Sequence, residues 1–225
     1  MKKFTVGLCG FLVLNIYFNT TTHFVSNSIG QFIGLLLFFP IASFIAKLNG
    51  LPGLKGLGLV KGQNGLKYFM VSFVFGFGCW IIMYMTYWQL GKFDFYGIKT
   101  GFGALSTVGQ ILNGFFFGSL INDIITRGYV LNLLKGKLPT YFTAVISIII
   151  YALDDFWNGD LTLVNFVFSI ILGCSLTYAF FKTGSVWANT GIHFGLNTAY
   201  GLIYGLTGQV GEDCFLLKKE KSILW

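Results

Sequence analysis

The sequence has few charged residues and so lacks most of what a soluble domain needs on its surface. Only 10% of the 225 residues are Asp, Glu, Lys or Arg, whereas 55% are hydrophobic, and the mean hydropathy is +0.72. A water-exposed surface cannot be built from so few charges. The apolar residues also fall in runs of about 20, the length of a helix that crosses a bilayer. The composition therefore excludes a soluble enzyme and predicts an all-α, polytopic transmembrane helix bundle.

Cysteine, histidine and arginine are also scarce. The four cysteines follow no CxxC or Cys/His spacing, and there are two histidines and a single arginine. Neither a disulfide framework nor a structural zinc site is indicated. The formal net charge of +7 comes almost entirely from lysine, which collects in the cytoplasmic loops of membrane proteins. We therefore expect the lipid bilayer as a partner and no nucleic acid.

Seven apolar runs predict about seven membrane-spanning helices in one integral membrane domain, residues 1–225. Pro40 lies inside the second run, where its missing N–H is expected to kink the helix. Pro139 opens the fifth run at a favoured first-turn position. The predicted spans are approximately 4–20, 27–47, 68–90, 103–135, 139–157, 161–181 and 185–206.

The lysines between the spans predict the orientation of the chain. If Lys2 and Lys3 are cytoplasmic, so are the lysines of the connection 48–67, of the loop 135–138 and at Lys182. With seven spans the lysines of the C-terminal tail fall outside, so a count of eight spans stays open. We expect a multi-pass protein of the bacterial plasma membrane with a cytoplasmic N-terminus.

Three clusters of polar side chains interrupt the apolar runs. An ionisable side chain at the centre of a membrane helix costs about 2.5–3.5 kcal/mol on insertion scales, and it normally faces a protein interior and marks function. The positions of the clusters along the predicted spans are compatible with one shared site. In chain order they are Asn122, Asp123 and Arg127; Asp154 and Asp155; and His193 and Asn197.

The spacing within the first cluster predicts an ion pair. Asp123 and Arg127 are four residues apart and can meet on one helix face. Such a pair has a purely structural interpretation as readily as a functional one.

Glycine spacing predicts close helix contacts. Gly191 and Gly195 form a small-xxx-small edge nearly opposite His193, so this helix can pack tightly on one side and point the histidine into a cavity on the other. Gly114 and Gly118 predict a second close contact.

The three clusters, in this order on successive long segments, resemble the CPBP family of intramembrane endopeptidases. That family includes the CAAX prenyl proteases and bacteriocin-processing or immunity proteins. Its pattern is Glu-Glu-x-x-x-Arg, then Phe-x-x-x-His, then His-x-x-x-Asn. The corresponding stretches here read NDIITR at 122–127, YALDD at 151–155 and HFGLN at 193–197. The resemblance covers roughly residues 45–206.

The departures from the family pattern fall on the catalytic positions. The family's first glutamate is thought to activate the attacking water, and Asn122 in its place cannot accept a proton near neutral pH. Asp155 stands where the family has its second-motif histidine. By this resemblance, four positions of the family pattern are retained. They are Asp123 as the second acid, Arg127 as its brace, and His193 and Asn197 as oxyanion-stabilising groups.

Three hypotheses about function follow, and whether the protein is an enzyme stays open among them. The first is a degenerate intramembrane protease that acts as a membrane scaffold, an immunity protein or a regulator. The second is an active endopeptidase that cleaves membrane-proximal peptides, with Asp123 or Asp155 as base and His193 with Asn197 holding the oxyanion. The third is a small transporter or lipid-handling protein, although no inverted repeat is evident.

No cofactor is predicted. Asp123, Asp155 and His193 could ligate a divalent metal such as Zn²⁺, but satisfied buried polar groups are the more common reason for such residues.

Overall fold

A computed structural model describes residues 2–59, 64–91, 97–158 and 162–206, apart from the side chains of residues 2–4, Asp155 and Asn158. The described chain is helical, which confirms the predicted all-α class. The α-helices are α1 (Lys2–Phe24), α2 (Ser28–Leu48), α3 (Gly53–Gly56), α4 (Gly65–Gln89), α5 (Gly101–Asp123), α6 (Val130–Leu134), α7 (Thr140–Leu153), α8 (Leu163–Thr183) and α9 (Val186–Leu206).

All seven predicted spans coincide with helices. Among the described residues, four helical segments are long and apolar enough to cross a membrane, and α7 is a shorter apolar helix. The four segments are Ser28–Leu48, Gly65–Gln89, Gly101–Leu134 and Leu163–Thr183. Their length and apolar composition indicate a membrane-embedded protein. The count of spans, the N-terminal orientation and the single domain over 1–225 stay predictions.

Three helix ends differ from the sequence expectation. α1 continues to Phe24, about four residues beyond the predicted end of the first span at residue 20. α7 ends at Leu153, and the 3₁₀ turn Asp154–Asn158 follows it. Asp154 therefore lies just beyond the helix in which the sequence placed it. Pro139 precedes the first turn of α7 at the N-cap position, one residue before the predicted one.

Local capping explains where α8 begins and where it ends. Thr162 precedes α8 and its hydroxyl accepts a hydrogen bond from the N–H of Asn165, which satisfies one of the unpaired donors of the first turn. Gly184 follows the same helix in the left-handed conformation with φ of 64°. Glycine adopts that conformation without a Cβ penalty, so the chain reverses there into α9.

The chain forms two compact units, and the first comprises residues 1–66 and 120–189. In it α7 packs along α8, and α1 packs along α2. Gly58 (φ 82°) brings the connection after α3 against the start of α9, where its carbonyl accepts hydrogen bonds from the Val186 N–H at 3.1 Å and the Ser185 hydroxyl at 3.2 Å. This unit contains the first two polar clusters.

The second unit comprises residues 67–119 and 190–225, of which α4, most of α5 and most of α9 are described. Gly191 and Gly195 lie so close to α4 that a Cβ at either would collide with backbone atoms of Phe69 or Phe73. The predicted packing edge of α9 is thereby confirmed. The prediction for Gly114 and Gly118 is wrong, because no described atom lies within 4 Å of a Cβ built there.

Candidate functional site

The first polar cluster contains a buried ion pair. Arg127 Nη1 lies 2.6 Å from Asp123 Oδ1, and both side chains are 0% exposed. The same nitrogen donates to the Thr126 hydroxyl at 2.9 Å. The predicted pairing of Asp123 with Arg127 is thus present in the structure. The carboxylate of Asp123 thus neutralises the permanent positive charge of a buried guanidinium.

Arg127 also joins two helical segments. Its guanidinium carbon lies 4.4 Å from the centre of the Tyr151 ring in α7, which is a cation–π distance. Tyr151 stands at the aromatic position of the second family motif, where the family has phenylalanine. The first and second motifs are therefore in direct contact through the arginine and this ring.

The segment that carries Arg127 is a π-helix, Ile124–Tyr129, between α5 and α6. A π-helical turn leaves carbonyls without their usual partners, and here side chains occupy them. The Ser147 hydroxyl donates to the Thr126 carbonyl at 2.7 Å, and the Asn132 amide donates to the Gly128 carbonyl at 2.8 Å. Short π-helical segments are frequent at functional sites. The sequence predicted a regular α-helix here and carried no signal for this turn.

Gly128 explains why the π-helical segment packs closely. A Cβ at this position would collide with the carbonyl oxygen of Leu57. Only glycine lets the connection that follows α3 approach the helix backbone in this way. The residue that follows Arg127 is therefore in backbone contact with Leu57.

The second carboxylate of the site is Asp154, which the structure brings to Asn122. The amide nitrogen of Asn122 donates to Asp154 Oδ2 at 2.5 Å. Asn122 is 9% exposed, and its Oδ1 has no hydrogen-bond partner among the described residues. The residue at the family's glutamate position is therefore a hydrogen-bond donor to a carboxylate.

Two asparagines of α1 hold the other oxygen of Asp154. The Asn15 amide donates to Asp154 Oδ1 at 3.2 Å, and the Asn19 amide lies 3.5 Å from the same oxygen. Asn19, 3% exposed, also donates to the Asn15 carbonyl at 3.0 Å. We call Asp154, Asn15, Asn19 and Asn122 the amide cluster. Its carboxylate is approached by amide donors on both oxygens.

Sequence reasoning missed Asn15 and Asn19 as site residues. Their spacing of four places both on one face of an apolar helix, which is a signal that a polar pair faces the protein interior. The signal was available, but it did not identify a partner more than 130 residues away along the chain. Both residues also lie outside the stretch that resembles a known family.

Asp155, the residue predicted at the second-motif histidine position, lies in the 3₁₀ turn Asp154–Asn158. Its side chain is outside the described residues, so its predicted role stays a prediction. Asp154, one residue earlier, is the carboxylate that the described structure places in the cluster.

His193 and Asn197 lie on α9 in the second unit. His193 is 8% exposed, and the Asn197 amide donates to the Ser119 hydroxyl of α5 at 3.1 Å. Phe194 packs among phenylalanines of α4, stacked on Phe69 with ring centres 6.1 Å apart and tilted against Phe73 at 5.2 Å. The third motif is therefore held by aromatic packing and one amide–hydroxyl contact. Its predicted role in stabilising an oxyanion stays a prediction.

The predicted metal ligands were Asp123, Asp155 and His193. Among the described residues, no group of three or more His, Cys, Asp or Glu side chains lies close enough to hold a metal ion. Asp123 is already paired with Arg127. An amide donor set around one carboxylate is also not a typical zinc site, which uses sulfur and imidazole ligands.

Part of the chain matches a known protein family. Residues 104–199 match the model of the family described as Type II CAAX prenyl endopeptidase Rce1-like. Over these residues the chain is similar to the CPBP family that the three motifs resemble. The match includes the ion pair, Asn122, Asp154 and the His193/Asn197 motif, and it leaves α1 to α4 outside. Searches of curated proteins and of solved structures give no match. This stretch of the chain is therefore similar to the CAAX prenyl endopeptidases, within a protein whose apolar helices mark it as membrane-embedded.

Proposed function

We propose that this CPBP-type protein is a degenerate intramembrane protease that binds a membrane-proximal peptide or protein without cutting it, as a scaffold, immunity or regulatory protein does. One observation carries the proposal. At the position where the family keeps its water-activating glutamate, Asn122 donates a hydrogen bond to Asp154. A carboxamide in that arrangement cannot take a proton from water.

The other described carboxylates support this proposal. Asp123 is bound to Arg127 with neither side chain exposed. Asp154 receives amide hydrogens from Asn122 and Asn15. A general base must be within hydrogen-bond reach of the water that it activates and must be free to accept its proton. Neither carboxylate is held in that way.

Binding is favoured by a polar atom that the described contacts leave open. The buried Oδ1 of Asn122 has no hydrogen-bond partner among the described residues, and buried acceptors are normally paired. A backbone N–H would satisfy it where a peptide inserts between the helices, because the atom itself has no exposed surface. The plasma membrane location and cytoplasmic N-terminus belong to the same proposal, because they rest on the distribution of lysines.

A working endopeptidase is the second candidate, and one observation favours it. Asp154 is only partly buried, in contrast to the fully buried Asp123. In this version Asp154 would act as base, in place of the Asp123 or Asp155 expected from the sequence.

The experiment compares wild-type protein with the variant Asn122→Glu/Asp154→Asn/Asp155→His in liposomes. Asp154→Asn is included because a glutamate at 122 would otherwise place two carboxylates in contact. Both proteins are offered prenylated peptides and leader peptides. We expect wild type to retain peptide uncut and the restored variant to cleave it, with cleavage lost on adding His193→Ala. Cleavage by wild type that disappears in Asp154→Asn would establish the second candidate instead.

A further inference from the structure

A second feature of the first unit lies at the lysine-rich helix ends. A cavity of about 270 Å³ is present where the end of α6, the loop before α7 and the end of α8 meet. Its lining includes Leu131, Lys135, Leu138, Thr140, Phe180 and Phe181. None of these residues belongs to the amide cluster or the ion pair. The cavity therefore needs an explanation of its own.

The walls of the cavity change from buried to exposed apolar residues. Leu131 and Phe180 are 3% and 5% exposed, whereas Leu138 and Phe181 are 41% and 43% exposed. An apolar surface of this kind at the end of membrane helices can accept the first carbons of a lipid acyl chain while its mouth stays open to the bilayer. A soluble anion would not need such walls.

The lysines at the mouth of the cavity have no acidic residue close to them in the sequence. Lys135 lines the cavity, Lys137 follows two residues later, and Lys182 lies between the lining residues Phe181 and Gly184. All three lysines are exposed. The sequence contains no Asp or Glu at 124–153 or at 161–211. Lys182 places its ammonium 5.5 Å from the centre of the Tyr178 ring, so Lys135 and Lys137 are the two lysines assigned to an external anion.

We infer that this cavity binds an anionic phospholipid, with the headgroup phosphate on Lys135 and Lys137 and the glycerol and upper acyl carbons against Leu138 and Phe181. Basic pockets between membrane helices on the lysine-rich side are suited to such headgroups. The Thr140 hydroxyl at the cavity lining is a further donor for a phosphate oxygen. Lipid binding at this cavity does not depend on whether the protein cuts peptides.

The test measures lipid binding by the full chain in neutral detergent, with phosphatidylglycerol and phosphatidylcholine as probes and native mass spectrometry as the readout. Wild type is expected to prefer phosphatidylglycerol. In Lys135→Gln/Lys137→Gln that preference should fall by about 30-fold, from the typical contribution of a lysine beside an anionic lipid. Glutamine keeps much of the side-chain length and these positions are exposed, so the variant should fold.

The matched control is Lys47→Gln/Lys55→Gln, which removes two exposed lysines of the same unit, one at the end of α2 and one in α3. It should change the preference by less than about 3-fold, since these residues are outside the cavity. Leu138→Trp, which narrows the mouth without changing charge, should weaken phosphatidylglycerol binding.

Three results would overturn the inference. Equal loss of preference in both lysine pairs would mean a general surface attraction. Equal binding of phosphatidylcholine by wild type would remove the role of charge. Displacement of the lipid by equimolar glycerol phosphate would mean that a free phosphate, not a lipid, is the ligand.

Discussion

The two units of this protein differ in the kind of contact that they bury. The first contains the Asp123–Arg127 ion pair and the amide cluster around Asp154, and its described contacts join residues far apart in the chain. The second is held by glycines against helix backbone and by stacked phenylalanine rings. Buried charge requires specific partners, whereas glycine and aromatic packing requires shape alone. The first unit is therefore where a single substitution should do most damage.

The largest effect is expected from Arg127→Ala. It leaves the Asp123 carboxylate buried without its counter-charge, and breaking a buried pair in this way typically costs about 3–5 kcal/mol. Thermal unfolding in detergent micelles measures the loss. The control is Asp123→Leu/Arg127→Leu, which removes both charges and should be much closer to wild type. An Arg127→Ala protein as stable as wild type would show that the pair contributes little.

A smaller loss is expected from Asn122→Leu. The substitution removes the amide donor to Asp154, and a hydrogen bond to a charged group is worth about 1.5–3 kcal/mol. Asn132→Leu is the matched control, because that amide donates to a neutral carbonyl and should cost only about 0.5–1.5 kcal/mol. The same unfolding assay compares the two. Equal losses would mean that Asp154 is not charged in the folded protein.

The sequence predicted one of the two contacts tested by these substitutions and not the other. The spacing of four between Asp123 and Arg127 predicted their pairing, because residues one turn apart share a helix face. The contact of Asn122 with Asp154 was not predicted. It depends on where α7 ends and on the packing of α1, and neither is encoded in local spacing.

The helices themselves were largely predictable. Long apolar runs fix the existence of membrane helices, and Pro139 and Gly184 mark ends that the structure confirms within a residue or two. The π-helical segment was not predictable, because its neighbours, the backbone of Leu57 beside Gly128 and the Ser147 side chain of α7, are distant in the sequence. Tertiary contacts decided these details.

Packing in the second unit can be tested by Gly195→Ala. The added methyl group would meet backbone atoms of Phe73 and Phe77 in α4, and overpacking of this kind costs about 1–3 kcal/mol. Gly118→Ala is the control, since no described atom lies within 4 Å of its Cβ. Helix propensity should make that change neutral or stabilising by up to about 1 kcal/mol. Similar destabilisation by both would contradict the tight contact of α9 with α4.

The smallest effect is expected from Asn15→Ala. Its donor–acceptor distance of 3.2 Å to Asp154 and the partial burial of the contact point to about 0.5–1 kcal/mol. The loss should shrink when Asp154→Ala is already present, because the donor then has no carboxylate to bind. A loss that is unchanged in the Asp154→Ala background would assign Asn15 a role in packing α1 instead.

The proposed loss of proteolysis depends on one contact, in which the carboxylate at position 154 is held by the amide at position 122. The most direct test is a double-mutant cycle on unfolding free energy with Asn122→Asp, Asp154→Asn and both together. Asn122→Asp alone places two carboxylates in contact, and Asp154→Asn alone removes the charge. In the double variant the new amide at position 154 can donate to the new carboxylate at position 122 and still accept from Asn15. We predict that the double variant recovers most of the stability lost by Asn122→Asp. Additive losses would contradict the contact and, with it, the proposal that this protein has given up proteolysis.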